Sequence, residues 1–154
     1  MAPRVLFEKR KETTWPTART AYYQYDGSGQ RVRKTIVNTA ASITEKRIYV
    51  GEWELYTKFV SSSLTTKRES LHVSDDTGRI LMIDSPLSPT TGESQLQRYT
   101  YSNHLGTATL ELDDAAAIIS YEEYYPFGST SFQSGRSTAE VSLKRYRYTG
   151  KERD

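Results

Sequence analysis

The 154 residues amount to about one domain of chain, and 21 Lys and Arg stand against 19 Asp and Glu for a net charge of +2, which argues against a strongly basic nucleic-acid binder or an acidic tail protein. Cysteine is absent, which excludes a disulfide framework, a thiolate metal site and a cysteine nucleophile, and which fits a reducing compartment. Leu, Ile, Val and Phe together number only 29, against 12 tyrosines, so the expectation is a thin, wide structure whose core is built largely from Tyr rings.

Residues 1–18 surround Leu6, Phe7 and Trp15 with charge and read as an N-terminal arm or a peripheral strand. Residues 19–154 read as one β-sheet segment, incomplete at its C-terminal end. Thr20 to Tyr25 is a strand, Asp26-Gly27-Ser28-Gly29 a turn in which both glycines can take positive φ, and Gln30 to Val37 the returning strand. Ile43 to Val50 and Glu52 to Val60 flank Gly51 as a hairpin or a bulge. Glu69 to Val73 and Arg79 to Asp84 flank the turn Ser74 to Gly78. Ser85 to Ser94, with two prolines and a glycine, is a loop.

Gln95 to Ser102 is a strand with Tyr99 and Tyr101 on one face and Arg98 and Thr100 on the other. Asn103 to Gly106 turns. Thr107 to Leu112 alternates, which places Ala108, Leu110 and Leu112 inward and Thr107, Thr109 and Glu111 outward. Asp113-Asp114 turns again and Ile118 to Tyr125 returns, ended by Pro126-Phe127-Gly128. Ser129 to Thr138 reads as a mobile Ser/Gly-rich stretch, Ala139 to Leu143 as a short helical turn or a strand start, and Lys144 to Tyr148 as basic and aromatic residues in alternation. No amphipathic helix stands out. The fold class is all-β, with consecutive antiparallel hairpins. An acidic middle, net −6 over residues 61–130, lies between basic ends, and three solvated faces explain it more simply than packing does.

The motif Tyr23-x-Tyr25-Asp26-x-x-Gly29-x-Arg31 resembles the tyrosine–aspartate (YD) repeat of Rhs proteins and of the related shell subunits of Tc toxin complexes. Arg98-Tyr99-Thr100-Tyr101-Ser102-Asn103-His104-Leu105-Gly106-Thr107-Ala108 resembles the opening of the Rhs repeat-associated core. Ser120 to Gly128, through Tyr124, Pro126 and Phe127, resembles its continuation. Arg145 to Asp154, with Tyr146, Tyr148 and Gly150, resembles the lead-in to its next signature. The resemblance implies a curved sheet of hairpins, part of a hollow shell around a toxic C-terminal cargo, with no chemistry of its own. It implies as partners other shell segments or copies of the chain, met through strand edges, and the cargo. The chain stops short of the downstream aspartates to which the family's self-cleavage is attributed. An adhesive protein- or carbohydrate-binding module is the alternative.

Candidate chemistry is sparse. His104 lies beside Ser102, and Asp113 and Asp114 are one hairpin away, so a Ser–His–Asp site is conceivable, but no glycine-flanked nucleophile turn is present and turn capping is the simpler role. Asp75-Asp76 and Asp113-Asp114 lack the spaced oxygen ligands of a calcium loop, and His72 and His104 alone make a poor zinc set. On a strand, Arg145 and Arg147 would face away from Tyr146 and Tyr148, which is unsuited to a single-strand nucleic-acid platform. Trp15 and Trp53 read as packing residues before sugar-stacking ones. The expectation is therefore no catalytic residue, cofactor, metal or nucleic acid, and a structural role in which Tyr101→Ala or Tyr124→Ala unfolds the segment. The longest apolar run, Ala115 to Ile119, is far short of the ~20 residues of a membrane span. The start Met1 to Arg10 lacks the apolar core of a signal peptide, so synthesis in the cytoplasm is expected, with export only as part of a toxin complex.

Overall fold

A computed structural model describes residues 6–10, 19–92, 94–137, 144–150 and Glu152. Ala139 to Leu143 and Trp15 lie outside the described residues. Among the described residues the chain forms eleven strands: β1 (Leu6–Arg10), β2 (Arg19–Tyr25), β3 (Arg31–Asn38), β4 (Ile43–Val50), β5 (Trp53–Val60), β6 (Ser63–Asp75), β7 (Gly78–Leu87), β8 (Leu96–Ser102), β9 (Ala108–Leu112), β10 (Ile118–Tyr124) and β11 (Thr130–Gly135). A single 3-10 turn covers Tyr148–Gly150. No helix is long and apolar enough to cross a membrane among these residues.

The chain divides into two compact units. The first holds the residues up to Leu71 together with Ser85–Gln95. In it β1 to β6 pair antiparallel in chain order, from Leu6 opposite Tyr25 to Trp53 opposite Leu71. Ser85–Gln95 is held to β6 by Thr90, whose hydroxyl accepts from Lys67 N at 2.7 Å and donates to Lys67 O at 2.9 Å. The second unit holds His72–Asp84 and the residues from Leu96 on. In it β7 to β11 also pair antiparallel in chain order. The expected hairpins are therefore present.

Several expectations fail, among them the start of the loop at Ser85 to Ser94, because Ser85–Leu87 belongs to β7. Thr130–Gly135, read as mobile, is strand β11, paired with β10 from Tyr124 to Ser120. Its Thr, Phe and Ser residues suit an extended edge, and the turn at Pro126 to Gly128 delivers it there. The Tyr-ring core is also absent: of the 12 tyrosines only Tyr23 is buried, and the buried set is dominated by Lys34, Glu54, Arg68, Asp84, Arg98, Glu111, Glu122 and Lys144. Finally, Glu111 is not outward. It is buried, while Leu110 and Leu112 are only half-buried. A strand's alternation gives two faces but not which one is covered, and here the charged face is covered because charges on neighbouring strands meet.

Candidate functional site

Four hairpin turns share one construction. In Asp26 to Gln30, Asn103 to Thr107, Asp113 to Ala117 and Tyr125 to Ser129, the first residue's N–H donates to the fifth residue's carbonyl and the fourth residue's N–H donates to the first residue's carbonyl, at 2.8–3.2 Å. Where the first residue is Asp or Asn, its Oδ1 also accepts from the third and fifth N–H groups: Ser28 and Gln30 for Asp26, Leu105 and Thr107 for Asn103, Ala115 and Ala117 for Asp113. The fourth residue takes a left-handed backbone, with φ of 83° at Gly29, 70° at Gly106 and 86° at Gly128. Glycine adopts this freely. Gly27, expected to share that role, does not have positive φ. At Asp113 to Ala117 the position is held by Ala116, at φ 60°.

The signature residues around the turns divide by role. Arg31 lies over the rings of Tyr23 and Tyr49, 5.6 and 5.0 Å from their centroids. His104, Leu105 and Phe127 are exposed at turn tips. Tyr99 and Tyr101 are exposed as well. Tyr25 is half-buried and opposes Arg31 across β2 and β3.

In the second unit the buried charges form a lattice across successive strands. Arg98 of β8 places Nε 3.4 Å from Asp84 of β7 and a terminal nitrogen 3.1 Å from Glu111 of β9. Ser120 of β10 donates to the same Glu111 carboxylate at 2.8 Å. Glu122 of β10 then accepts from Tyr124 at 2.8 Å, Thr130 at 2.5 Å and Arg147 at 2.5 Å, with Lys144 3.7 Å away. Burial acts to raise the Glu122 pKa, but the hydrogen bonds from Thr130 and Tyr124 and the charges of Arg147 and Lys144 outweigh it and hold the carboxyl below its ordinary value. Burial draws the Lys144 ammonium below its ordinary value, against the pull of Glu111 and Glu122. Burial and the Glu122 carboxylate push the Tyr124 phenol far up.

The segment from Lys144 to Gly150 is laid along this lattice rather than forming a strand. Lys144 Nζ donates to Ala108 O at 2.8 Å, Ala108 N to Arg147 O at 3.1 Å, and Thr149 N to the Thr107 hydroxyl at 3.1 Å. Tyr148 donates to Pro126 O at 2.7 Å and packs against Gly128, where a Cβ would lie 2.7 Å from the Tyr148 ring. Tyr146 meets His72 edge-on at 5.1 Å and carries the Arg79 guanidinium 4.0 Å above its ring. Arg145 reaches Asp84 at 4.0 Å and Met82 Sδ at 3.6 Å, and Arg136 pairs with Asp113. The basic C-terminal residues therefore pack against acids of the middle segment in this unit, and the reading of wholly solvated faces is corrected here. The lattice itself was missed, although Asp84, Arg98, Glu111 and Glu122 alternate in sign on consecutive strands apart from the last step, and that alternation was the available signal.

The residues weighed for chemistry are not assembled into a reaction centre. His104 makes no hydrogen bond to Ser102 or Asp113 among the described residues. Asp113 is engaged by its own turn and by Arg136. Asp75 Oδ1 accepts from Thr77 and Gly78. No group of three or more metal-ligating side chains occurs among the described residues. Trp53 donates to Glu69 at 3.3 Å and sits half-buried in β5.

No protein-family model matches the chain. It is 33% identical over 136 residues to toxin subunit YenC1 of Yersinia entomophaga and 34% identical over 142 residues to toxin subunit YenC2 of the same organism. Each alignment covers 86% of this chain and 14% of the relative, so the chain spans about a seventh of the length of these proteins. Among solved structures, TcdB2-TccC3 without its hypervariable C-terminal region matches 95% of this chain and 7% of its own, at 31% identity and a TM-score of 0.81. TcdB2-TccC3-Cdc42 matches 88% of this chain at 32% identity and the same TM-score. The chain is thus homologous to a segment of Tc toxin subunits.

Proposed function

We propose that the chain is a structural shell segment of an Rhs/YD-repeat toxin component, which walls off or docks a toxic C-terminal cargo and performs no chemistry itself. The reading also has the protein made in the cytoplasm, exported as part of a toxin complex, and joined to other shell segments through its strand edges. The observation that carries it is the construction of the second unit. Its buried charges are used up in pairs, Arg98 with Glu111 across β8 and β9 and Glu122 with Lys144 of the C-terminal segment, which supports a structural wall over a reaction centre. The likeness to one segment of TcdB2-TccC3 supports the same reading.

The test replaces the matching segment of TcdB2-TccC3-Cdc42 with this chain and follows trypsin digestion of the Cdc42 part. The expected result is that Cdc42 is digested more slowly than free Cdc42 in both the parent and the chimera. A chimera that purifies folded but leaves Cdc42 digested as fast as free Cdc42 overturns the wall reading. Specific hydrolysis of a substrate, lost in His104→Ala, overturns the non-enzymatic reading.

A further inference from the structure

A cavity of about 600 Å³ opens in the first unit, where the ends of β3, β4 and β5 meet the turns at 39–42 and 61–62. That volume is in the range of small-molecule sites, roughly 300–1,000 Å³. Its floor is one cross-strand row, Val37 opposite Thr44 opposite Phe59. Lys46 follows on the same face of β4, with Nζ 5.2 Å from the centre of the Phe59 ring. The lining contains no carboxylate, and Lys46 makes no ion pair among the described residues. An anion entering here meets a cation that is not already neutralised.

The mouth is built from serines in a conformation serine disfavours. Ser42, Ser61 and Ser62 have φ of 51°, 47° and 69°, and all three line the cavity. Ser61 and Ser62 are the whole loop between β5 and β6, the kind of two-residue turn that favours Asn-Gly. Ser61 N donates to Ser42 O at 2.9 Å, tying the two turns together. At positions 29, 51, 106 and 128 the same chain places glycine in the left-handed region. With serine rather than glycine at these three positions, three hydroxyls are gathered at one opening.

We propose that this cavity binds an acidic saccharide unit. The Phe59 ring offers an apolar face to the sugar's C–H groups. The hydroxyls of Ser42, Thr44, Ser61 and Ser62 bond its hydroxyls, and Lys46 pairs with its carboxylate. A bare carboxylate uses only the lysine, and a neutral sugar lacks the charge. The site goes beyond the shell reading and does not depend on it.

The test is an amide chemical-shift titration of the full chain with sodium glucuronate, with sodium acetate and glucose as separate controls. Glucuronate is expected to give saturable shifts at residues 42–46 and 59–62 at concentrations about tenfold lower than either control, as expected when a charged hydrogen bond is added. Lys46→Gln removes the preference over glucose and leaves the circular dichroism spectrum unchanged. Ser61→Asn with Ser62→Gly raises the melting midpoint while weakening glucuronate binding. The proposal is overturned by acetate or glucose matching glucuronate, by shifts that do not saturate, or by the double serine variant binding as tightly as the parent.

Discussion

Arg98 on β8 and Glu111 on β9 stand 3.1 Å apart with 0% and 2% of their side chains exposed, and the same guanidinium lies 3.4 Å from Asp84 on β7. Three strands are joined by one buried cation. Removing it leaves two carboxylates without their shared partner in a dry place. Breaking a buried pair in this way costs about 3–5 kcal/mol, so Arg98→Met is expected to lower stability by that amount in urea denaturation. Combining it with Asp84→Asn and Glu111→Leu should recover much of the loss, because no unpaired carboxylate is then left buried. A single-variant loss below about 1 kcal/mol would mean that the lattice does not hold the strands.

The four matching turns predict opposite signs for one kind of substitution. Ala116 has φ 60° where Gly29, Gly106 and Gly128 sit, so Ala116→Gly is expected to stabilise by about 0.5–1 kcal/mol, the relief of left-handed strain less the entropy glycine adds to the unfolded chain. Gly29→Ala meets nothing within 4 Å and should lose only about 1–2 kcal/mol of backbone strain. Gly128→Ala adds a collision with the Tyr148 ring and should lose more. Thermal midpoints of the three variants check the order, and equal losses at positions 29 and 128 would refute the close packing of Tyr148.

Acid should destabilise the protein through the carboxylates that the fold holds below their ordinary values, the turn residues Asp26, Asp75 and Asp113 and the buried Glu122. Hydrogen bonds from Ser28, Thr77 and Ala117 hold Asp26, Asp75 and Asp113 below the ordinary value of 3.8, with Arg136 also acting on Asp113. A carboxyl whose pKa is lower folded than unfolded binds protons less tightly in the folded state. Its contribution is present above the ordinary value and is lost as pH falls from there through the folded pKa. The melting temperature should therefore be flat from neutral pH to about 5 and fall below about 4. Asp113→Asn should make that acid limb shallower, since Asn103 shows that an amide can serve the same turn. An unchanged limb would assign the acid sensitivity to other groups.

The hairpins were legible because turn chemistry is local: Asp26, Asn103 and Asp113 open turns whose bonds close within four residues. Which face is buried was not legible. The alternation in Ala108 to Leu112 admits either orientation, and the choice is made by Asp84, Arg98 and Ser120, which come from three other strands. The expected unfolding by Tyr101→Ala follows from the wrong choice. Tyr101 is 55% exposed, and its loss should change stability by no more than about 0.5 kcal/mol, as is usual for surface positions. Tyr124 instead donates to the buried Glu122, so Tyr124→Phe should lose about 1–3 kcal/mol by leaving that carboxylate short of a donor. Comparable losses at the two positions, measured by denaturation, would restore the tyrosine core.

The segment from Lys144 to Gly150 is fastened at several points, and the contact furthest along the chain from its neighbours is Tyr146 beneath Arg79 and against His72. A desolvated cation–ring contact of this kind is worth about 1–2 kcal/mol. Tyr146→Leu keeps an apolar side chain but removes the ring, so it should loosen the segment without unfolding the strands. The Ala108 amide, which donates to Arg147 O, reports this directly. Its hydrogen exchange should quicken by about tenfold in Tyr146→Leu, in keeping with the energy of the contact. The Asp113 amide, which donates to Ala117 O inside its own turn, should keep its rate. If both amides quicken equally, the segment and the strands open together and Tyr146 holds the whole unit. If neither changes, the buried lysine and arginine at 144 and 147 fasten the segment without it.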